Sequence, residues 1–295
     1  MKDNPVIGFI GVGLMGWGMA KNTVENGFST LVVAHQKREA VDDLVARGAS
    51  EVTGIPEMAA NADVIVLCVT GSPQVEETIA KLTPTIRPGL IIIDTSTAEP
   101  ASTRKLAQDL AARDVTFIDA PLSRTPSHAW DGELTTFVSG TNAQFETIKP
   151  ILSNWASAII HVGGDAGTAH SVKLINNLVS IGYASLWSEC YATLHKLDVD
   201  PSIFREIIRN SGMTCGNFEN FSKYVCEGDA ESHKFTLANC KKDISYYTRM
   251  ADSLSATRTI SSGVQDLMNT SVEMEMGERF LPELVNAMLK TNGDL

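Results

Sequence analysis

Lys173 and Asn177 lie four residues apart in the segment HSVKLINNLVS, and this spacing places both side chains on one face of a helix. The flanking positions are apolar, and a lysine in apolar surroundings loses hydration, which lowers its pKa. Such an ammonium can donate a proton to a developing alkoxide, while the asparagine amide orients the reacting oxygen. A lysine on an amphipathic helix can also extend into solvent, so the spacing alone leaves both interpretations open.

A glycine-rich turn near the start of the chain has the pattern of a dinucleotide-binding loop. Gly11, Gly13 and Gly16 form a GxGxxG motif after an apolar run, and Leu14 and Met15 lie within it. The first glycine permits a tight turn, the second lets the backbone approach a pyrophosphate, and the third lets a helix pack on the strand. The pyrophosphate would bind at the helix N-terminus. A glycine-rich turn without a ligand is the alternative.

The choice between NAD and NADP depends on the residues after the second apolar run. An acidic residue there would bind the ribose 2′-hydroxyl of NAD, but no acid occurs before Glu39. Lys37 and Arg38 could instead bind the 2′-phosphate of NADP, so the sequence favours NADP over NAD. A solvated, basic helix start is the other interpretation.

The loop Ser123-Arg124-Thr125 brings a permanently charged guanidinium next to a serine hydroxyl. A guanidinium can clamp a carboxylate, sulfonate or phosphate with paired hydrogen bonds. The loop leaves the carboxyl end of a predicted parallel strand, where such sheets bind ligands. We expect Arg124 to bind a terminal anion of the substrate, with Ser123 and Thr125 adding hydrogen bonds. An ion pair between Arg124 and Asp131 or Glu133 is the alternative.

Short apolar runs in the first half of the chain predict strands buried on both faces, with helical patterns between them. The runs are VIGFI (6–10), TLVVA (30–34), DVIVLCV (63–69), LIIID (90–94) and VTFIDA (115–120). The intervening helices are predicted at 37–47, 73–82 and 100–113. LTTFVSG (134–140) and ASAIIHVGG (156–164) are expected to extend the sheet.

From Gly167 onward the sequence predicts helices only. They are expected at 168–197, 201–210, 235–254, 259–269 and 280–290. The fold class is therefore α/β, with a Rossmann-type doubly wound parallel sheet followed by an all-helical domain. The expected domains are residues 1–165, which bind NAD(P), and residues 166–295, which bind substrate and form the oligomer.

Composition narrows the classes of partner. The 295 residues carry a net charge of −11, which opposes binding to nucleic acid or to anionic membranes. Five cysteines without CxxC spacing indicate reduced thiols in a cytoplasmic protein, and no metal-ligand set is expected. The apolar segment at 6–20 is too short to span a bilayer.

Four segments together resemble the β-hydroxyacid dehydrogenase family, the relatives of 3-hydroxyisobutyrate dehydrogenase and tartronate semialdehyde reductase. They are GFIGVGLMGWGMAKN (8–22), DAPLS (119–123), GTAHSVKLINN (167–177) and KKDISYY (241–247), and DTSTAEP (94–100) matches a further short motif. The resemblance implies a Rossmann half, a long connecting helix and a helical half that closes the cleft and forms a homodimer or homotetramer. It also implies NAD(P)-dependent hydride transfer involving a short (C3–C5) anionic 3-hydroxy acid or its semialdehyde.

The resemblance implies roles for individual residues. Lys173 matches the catalytic lysine, Asn177 the asparagine that holds the substrate, and Ser123 the residue that binds the substrate carboxylate. Lys242 matches a lysine that reaches the cofactor near the nicotinamide, and Thr97, with Ser96, a hydroxyl near the nicotinamide ribose. Val69, the last residue of the DVIVLCV run, and Thr70, which follows it, are also assigned to the cofactor site.

Two departures from the family pattern bear on the substrate. Arg124-Thr125 replaces the usual glycine pair, and Ala169 replaces a glycine before the lysine. The SRT segment resembles the GRT of sulfolactaldehyde reductases, so a sulfonate substrate is an alternative to a carboxylate. Lys173 argues against the imine reductases, a branch that lacks it. A non-catalytic dinucleotide sensor and a decarboxylating enzyme, for which the chain is short, are further alternatives.

Overall fold

The computed structural model describes residues 4–35 and 37–294, and the chain forms two compact units, the first ending at Lys173 and the second beginning at Leu174. The described strands are β1 (Ile7–Ile10), β2 (Thr30–Val33), β3 (Ser50–Val52), β4 (Val64–Leu67), β5 (Ile91–Asp94), β6 (Thr116–Asp119), β7 (Leu122–Ser123), β8 (Leu134–Val138) and β9 (Ala156–His161). The described helices are α1 (Gly16–Glu25), α2 (Glu39–Ala46), α3 (Ile55–Asn61), α4 (Ser72–Leu82), α5 (Pro100–Ala111), α6 (Pro126–Trp130), α7 (Asn142–Leu152), α8 (Thr168–Lys196), α9 (Pro201–Arg209), α10 (Gly216–Glu227), α11 (Leu237–Ser253), α12 (Thr259–Glu273) and α13 (Leu284–Thr291), with short 3-10 helices at Ala230–His233 and Leu281–Glu283.

The first unit is built on a six-stranded parallel sheet with the order β3-β2-β1-β4-β5-β6. The order reverses between β1 and β4, which confirms the predicted doubly wound sheet. In such sheets ligands bind outside the carboxyl ends of the strands at the point of reversal. The loops that follow β1, β4, β5 and β6 therefore lie at the ligand-binding edge.

Both faces of the central part of this sheet are buried, which explains why β1 and β4 are continuously apolar. Along β4, Val64 and Val66 pack into one core cluster, while Ile65 and Leu67 pack into another on the opposite face. Full burial of each such side chain stabilises the fold by about 1.5–3 kcal/mol. In β4 an apolar side chain is thus favoured at every position rather than at alternate positions.

The prediction that the runs at 134–140 and 156–164 extend this sheet is wrong. β8 and β9 form a separate three-stranded sheet with the order β7-β8-β9, in which β8 is antiparallel to β7. Pro121 lies just after β6 and has no N–H to donate, and its carbonyl accepts a hydrogen bond from Phe137 N at 3.1 Å. β8 therefore pairs with the segment beyond β6 rather than with β6 itself.

The second unit is helical, as predicted: among the described residues no strand follows His161, and one isolated bridge joins Thr236 and Phe280. Its core contains an aromatic cluster in which Trp187 contacts Phe218 and Phe221. Helix α10 was not predicted. None of the helices that the structure describes combines the length and apolar character that crossing a bilayer requires.

Candidate active site

The glycine turn after β1 has the shape that a dinucleotide requires. Gly11 has a φ of 97°, and a Cβ there would lie 2.2 Å from the carbonyl oxygen of Cys68. A Cβ on Gly16 would lie 2.0 Å from Gly11 O, whereas a Cβ on Gly13 would meet nothing within 4 Å. The turn is therefore packed on its inner side and open at Gly13, where a pyrophosphate could approach the backbone.

The first turn of α1 also suits an anion. No side chain caps the helix at Met15, and Trp17 N donates to Gly13 O at 2.9 Å, so an anion would be held by the remaining amide N–H groups of this turn. Leu14 is exposed beside them. These N–H groups and the helix dipole favour a negatively charged phosphate. The residues present thus fit a bound dinucleotide.

The loops after β4 and β5 are tied together by backbone-to-side-chain hydrogen bonds. Val69 N donates to Ser96 Oγ at 3.0 Å, and Ser96 N donates to Asp94 Oδ1 at 3.0 Å. Thr97 is half-buried beside them, and Thr70 is exposed. These four loop residues, predicted to contact the cofactor region, all belong to the ligand-binding edge of the sheet.

The first amide N–H groups of helix α8 donate hydrogen bonds to a carboxylate at the end of β6. Asp119, at the end of β6, accepts hydrogen bonds from Gly167 N and His170 N, both at 2.9 Å, and from the hydroxyl of Ser139. Gly167 has a φ of 90°, and a Cβ there would lie 2.7 Å from Pro100 O. A buried anion bonded to the amides of a first helical turn stabilises the helix. Asp119 therefore fixes the position where α8 starts.

His170 connects this helix start to the β5 loop. Its ring is fully buried, with Nε2 3.1 Å from Ser96 O and Nδ1 2.8 Å from Thr103 Oγ1. Asp94 Oδ2 lies 3.9 Å from His170 Nε2 and has no hydrogen-bond partner among the described residues. Burial raises the pKa of the Asp94 carboxyl, against the opposing influence of His170.

Lys173 follows His170 by one helical turn and is 9% exposed. Asn177, one further turn along α8, is buried, and its Nδ2 donates to Asp243 Oδ2 at 2.6 Å. Lys242 Nζ lies 3.0 Å from Asp243 Oδ1. Asp243 thus joins two of the predicted site residues, Asn177 and Lys242. Reasoning from the sequence assigned no role to Asp119, His170 or Asp243, although each lies inside a quoted motif.

The loop after β7 holds Arg124 in an unusual conformation. Arg124 has a φ of 84°, in the left-handed region that favours glycine, and its side chain is exposed. Its Nη1 lies 3.9 Å from Glu133 Oε2, a loose contact between two exposed groups. Ser123 is half-buried, and Thr125 Oγ1 lies 2.6 Å from His128 Nδ1 and 2.8 Å from Ser127 Oγ. Arg124 therefore keeps a backbone suited to glycine while presenting a cation.

Arg38 is already bound by acidic groups. Its guanidinium donates to both carboxylate oxygens of Glu51, at 3.1 and 2.9 Å, and to Asp42 at 2.9 Å. The hydrogen bonds from Glu51 and then Asp42 raise the Arg38 pKa further above its ordinary value. Lys37 is exposed beside it. A 2′-phosphate would have to compete with these carboxylates for Arg38.

A cysteine, Cys68, lies at this edge of the sheet. Burial raises the pKa of the Cys68 thiol to about 11, so this cysteine after β4 is protonated at neutral pH. Within residues 4–35 and 37–294, no three His, Cys, Asp or Glu side chains converge in a way that could hold a metal ion.

Comparison with known proteins covers both units. The family described as the NAD binding domain of 6-phosphogluconate dehydrogenase matches residues 6–163, and that described as the NAD-binding domain of NADP-dependent 3-hydroxyisobutyrate dehydrogenase matches residues 167–286. The chain is 34% identical to 2-(hydroxymethyl)glutarate dehydrogenase of Eubacterium barkeri, over 78% of its own length and 77% of that protein. It is 30% identical to 3-sulfolactaldehyde reductase of Escherichia coli K12, over 84% of each. The crystal structure of 3-hydroxyisobutyrate dehydrogenase from Salmonella typhimurium gives a TM-score of 0.87 at 24% identity, covering 96% of this chain and 99% of that one.

Proposed function

The chain belongs to the β-hydroxyacid dehydrogenase family, an NAD(P)-dependent group of oxidoreductases acting on CH–OH, and we propose that it interconverts a short (C3–C5) anionic 3-hydroxy acid and its semialdehyde. The observation that carries the proposal is the placement of Lys173. This lysine is almost fully buried, one helical turn after a histidine bonded to the β5 loop and one turn before Asn177. A buried ammonium near the ligand-binding edge of a Rossmann sheet suits proton transfer better than packing alone.

When bound, the nicotinamide would accept or supply the hydride. Lys173 donates a proton to the oxygen of the aldehyde as reduction proceeds and takes it back from the alcohol during oxidation. Asn177 aligns that oxygen, and Asp243 holds the Asn177 amide. Ser123, Thr125 and Arg124 bind the anionic tail of the substrate. The glycine turn, Val69, Thr70 and Thr97 would hold the dinucleotide, and Lys242 would contact it near the nicotinamide.

The two cofactors differ in what they require of Lys37 and Arg38. We propose NADP as the preferred cofactor, because Lys37 and Arg38 follow β2 and no acidic residue lies between the end of this strand and the two cations. The carboxylates of Glu51 and Asp42 weaken this preference, since they already bind Arg38.

A sulfonate in place of a carboxylate is the second candidate for the substrate. It is favoured by Arg124, which takes the place of the family's glycine at a position whose backbone is in the left-handed region. The 30% identity to 3-sulfolactaldehyde reductase also supports it. A melting-temperature screen with NADH or NADPH present would separate the two classes. The compounds would be 3-hydroxyisobutyrate, L-threonate, 2-(hydroxymethyl)glutarate and 2,3-dihydroxypropane-1-sulfonate. At equal concentration, the compound with the lowest Kd should raise Tm the most, because stabilisation grows with the logarithm of concentration over Kd.

The deciding variant for the function is Lys173→Ala. We expect kcat to fall by about 10²–10⁴-fold, the usual contribution of a general acid, while NAD(P)H still binds in a fluorescence titration. Lys196→Ala, at the exposed end of the same helix, is the matched control and should retain activity. Near-normal turnover by the Lys173 variant would exclude this function.

We also propose that residues 166–295 mediate self-association. Large apolar side chains are about half exposed along one side of α8, namely Ile175, Val179, Tyr183 and Leu186. Leu186→Glu should reduce the oligomer mass measured by light scattering. An oligomer mass equal to that of the parent would show that these four side chains of α8 do not form the contact between subunits.

A further inference from the structure

His170 is a fully buried histidine that the proposed mechanism does not use, and it contacts three separate elements of the first unit. Its Nε2 contacts the carbonyl oxygen of Ser96, its Nδ1 contacts Thr103 on α5, and its backbone amide donates to Asp119 at the end of β6. A buried polar side chain of this size is retained only when its hydrogen bonds are satisfied.

The two ring nitrogens play different parts. A carbonyl oxygen can only accept, so Nε2 must carry the proton in the bond to Ser96 O. Thr103 Oγ1 also lies 3.1 Å from Glu99 O, and its hydroxyl can either donate to that carbonyl or to Nδ1. The Nε2 bond therefore has a fixed direction. In the neutral ring Nδ1 then has only a lone pair, so Thr103 must donate in the Nδ1 bond, and Glu99 O competes for that hydroxyl.

The Nε2 bond connects two parts of the candidate site. Ser96 accepts from Val69 N, so its loop is already joined to the loop after β4 at the ligand-binding edge. His170 lies one helical turn before Lys173. The bond therefore joins the first turn of α8, which carries Lys173, to the edge where a parallel sheet binds its ligand.

We propose that His170 is a positioning residue, whose Nε2–H bond to Ser96 O sets the place of the Lys173 ammonium relative to the β4 and β5 loops. The inference rests on the proposed function, since it requires Lys173 to transfer the proton. Asp119 holds the backbone of the same turn through Gly167 N and His170 N, so the helix still starts there without the imidazole. The imidazole additionally fixes the sideways position of the first turn of α8 relative to the β5 loop. A displacement of reacting groups by about 1 Å can lower the rate about 100-fold.

The two amide side chains distinguish the ring nitrogens. The amide nitrogen of His170→Gln falls near the former Nε2 and can donate to Ser96 O, whereas that of His170→Asn falls near Nδ1. We expect kcat, measured with the panel compound that the parent enzyme turns over fastest, to fall about 100-fold in His170→Ala and His170→Asn. His170→Gln should stay within about tenfold of the parent. His195→Ala, at the far end of α8, is the control and should match the parent.

Two further measurements do not depend on turnover. Amide hydrogen exchange over residues 167–176 should be faster in the Ala and Asn variants than in the Gln variant, because the turn has lost its side-chain anchor. The Kd for NADH and NADPH, measured by fluorescence, should stay close to the parental value in all three. Thr103→Val removes the Nδ1 partner, together with the contact of the same hydroxyl to Glu99 O, but keeps the Nε2 bond, and should leave kcat nearly unchanged.

The outcomes separate the two proposals. Equal kcat in the Ala, Asn and Gln variants, corrected for folded fraction, would overturn the positioning role even when Lys173→Ala is inactive. A large loss of kcat in Thr103→Val at unchanged Tm would overturn the assignment to the Ser96 bond, and this variant also decides the matter if the His170 variants do not fold. Full activity of Lys173→Ala would instead defeat the proposed function.

Discussion

The side-chain amide of Asn177 donates to Oδ2 of Asp243 over 2.6 Å, and both side chains are buried. A carboxylate can only accept, so Asp243 determines which end of the Asn177 amide faces it. The amide oxygen of Asn177 consequently points elsewhere, and the asparagine is held in one orientation before a substrate arrives.

Asp243→Ala should disturb both stability and activity. Leaving the Asn177 amide without its acceptor costs about 1–3 kcal/mol of unfolding free energy, to be measured by urea denaturation. We expect kcat to fall more than KM rises, because the amide that we propose aligns the reacting oxygen loses its support. Asp266→Ala, at an exposed position of α12, should change the unfolding free energy by less than about 0.5 kcal/mol. Parental kcat in the Asp243 variant would contradict the role assigned to this pair.

Arg124→Gly should make the protein more stable and less active. A non-glycine residue in the left-handed region costs about 1–2 kcal/mol, so its removal should raise Tm by a few degrees. Loss of the guanidinium should raise KM for the anionic substrate by about 10- to 100-fold, as expected for hydrogen bonds to a charged group. Asp114→Gly is the matched control, because Asp114 also has a positive φ, of 57°, and should alter Tm without altering KM. An unchanged KM in the Arg124 variant would show that the guanidinium does not bind the substrate, and its contact with Glu133 would remain its assigned interaction.

Glu51→Gln tests the choice of cofactor. Removing this charge weakens the hold on Arg38, so the guanidinium becomes available to a 2′-phosphate. The Kd for NADPH should fall by about two- to fivefold, the range typical of an exposed ion pair, while the Kd for NADH stays constant. Glu57→Gln, on α3, is the control. Equal changes for the two cofactors would mean that Arg38 does not contact the phosphate.

The sequence predicted those parts of the fold in which each residue's polarity reflects its own burial. The strands β1 and β4 were recognisable because every position is apolar, as burial on two faces requires, and β5 because three isoleucines precede Asp94. β3 was missed because it has three residues, of which Ser50 and Glu51 are exposed. The second sheet was misassigned because a run of apolar residues does not state which strand it will pair with.

The same distinction applies to the candidate site. The spacing of Lys173 and Asn177 is local, so helical geometry alone placed them on one face. The partners of His170 and Asn177 are remote: Asp119 is 51 residues from His170, and Asp243 is 66 residues from Asn177. These groups meet only in the folded chain, and their separations in sequence follow no helical or strand periodicity from which the contacts could be predicted.

The backbone conformation at position 124 also bears on how substrate range changes within such an enzyme. Glycine and arginine codons differ by a single nucleotide, and a φ of 84° is one that glycine adopts without strain. An exchange between the two would therefore add or remove a cation without rebuilding the loop. Under the role that we propose for Arg124, one mutational step would exchange a charged for an uncharged substrate tail, and the arginine form would carry the cost of a strained backbone.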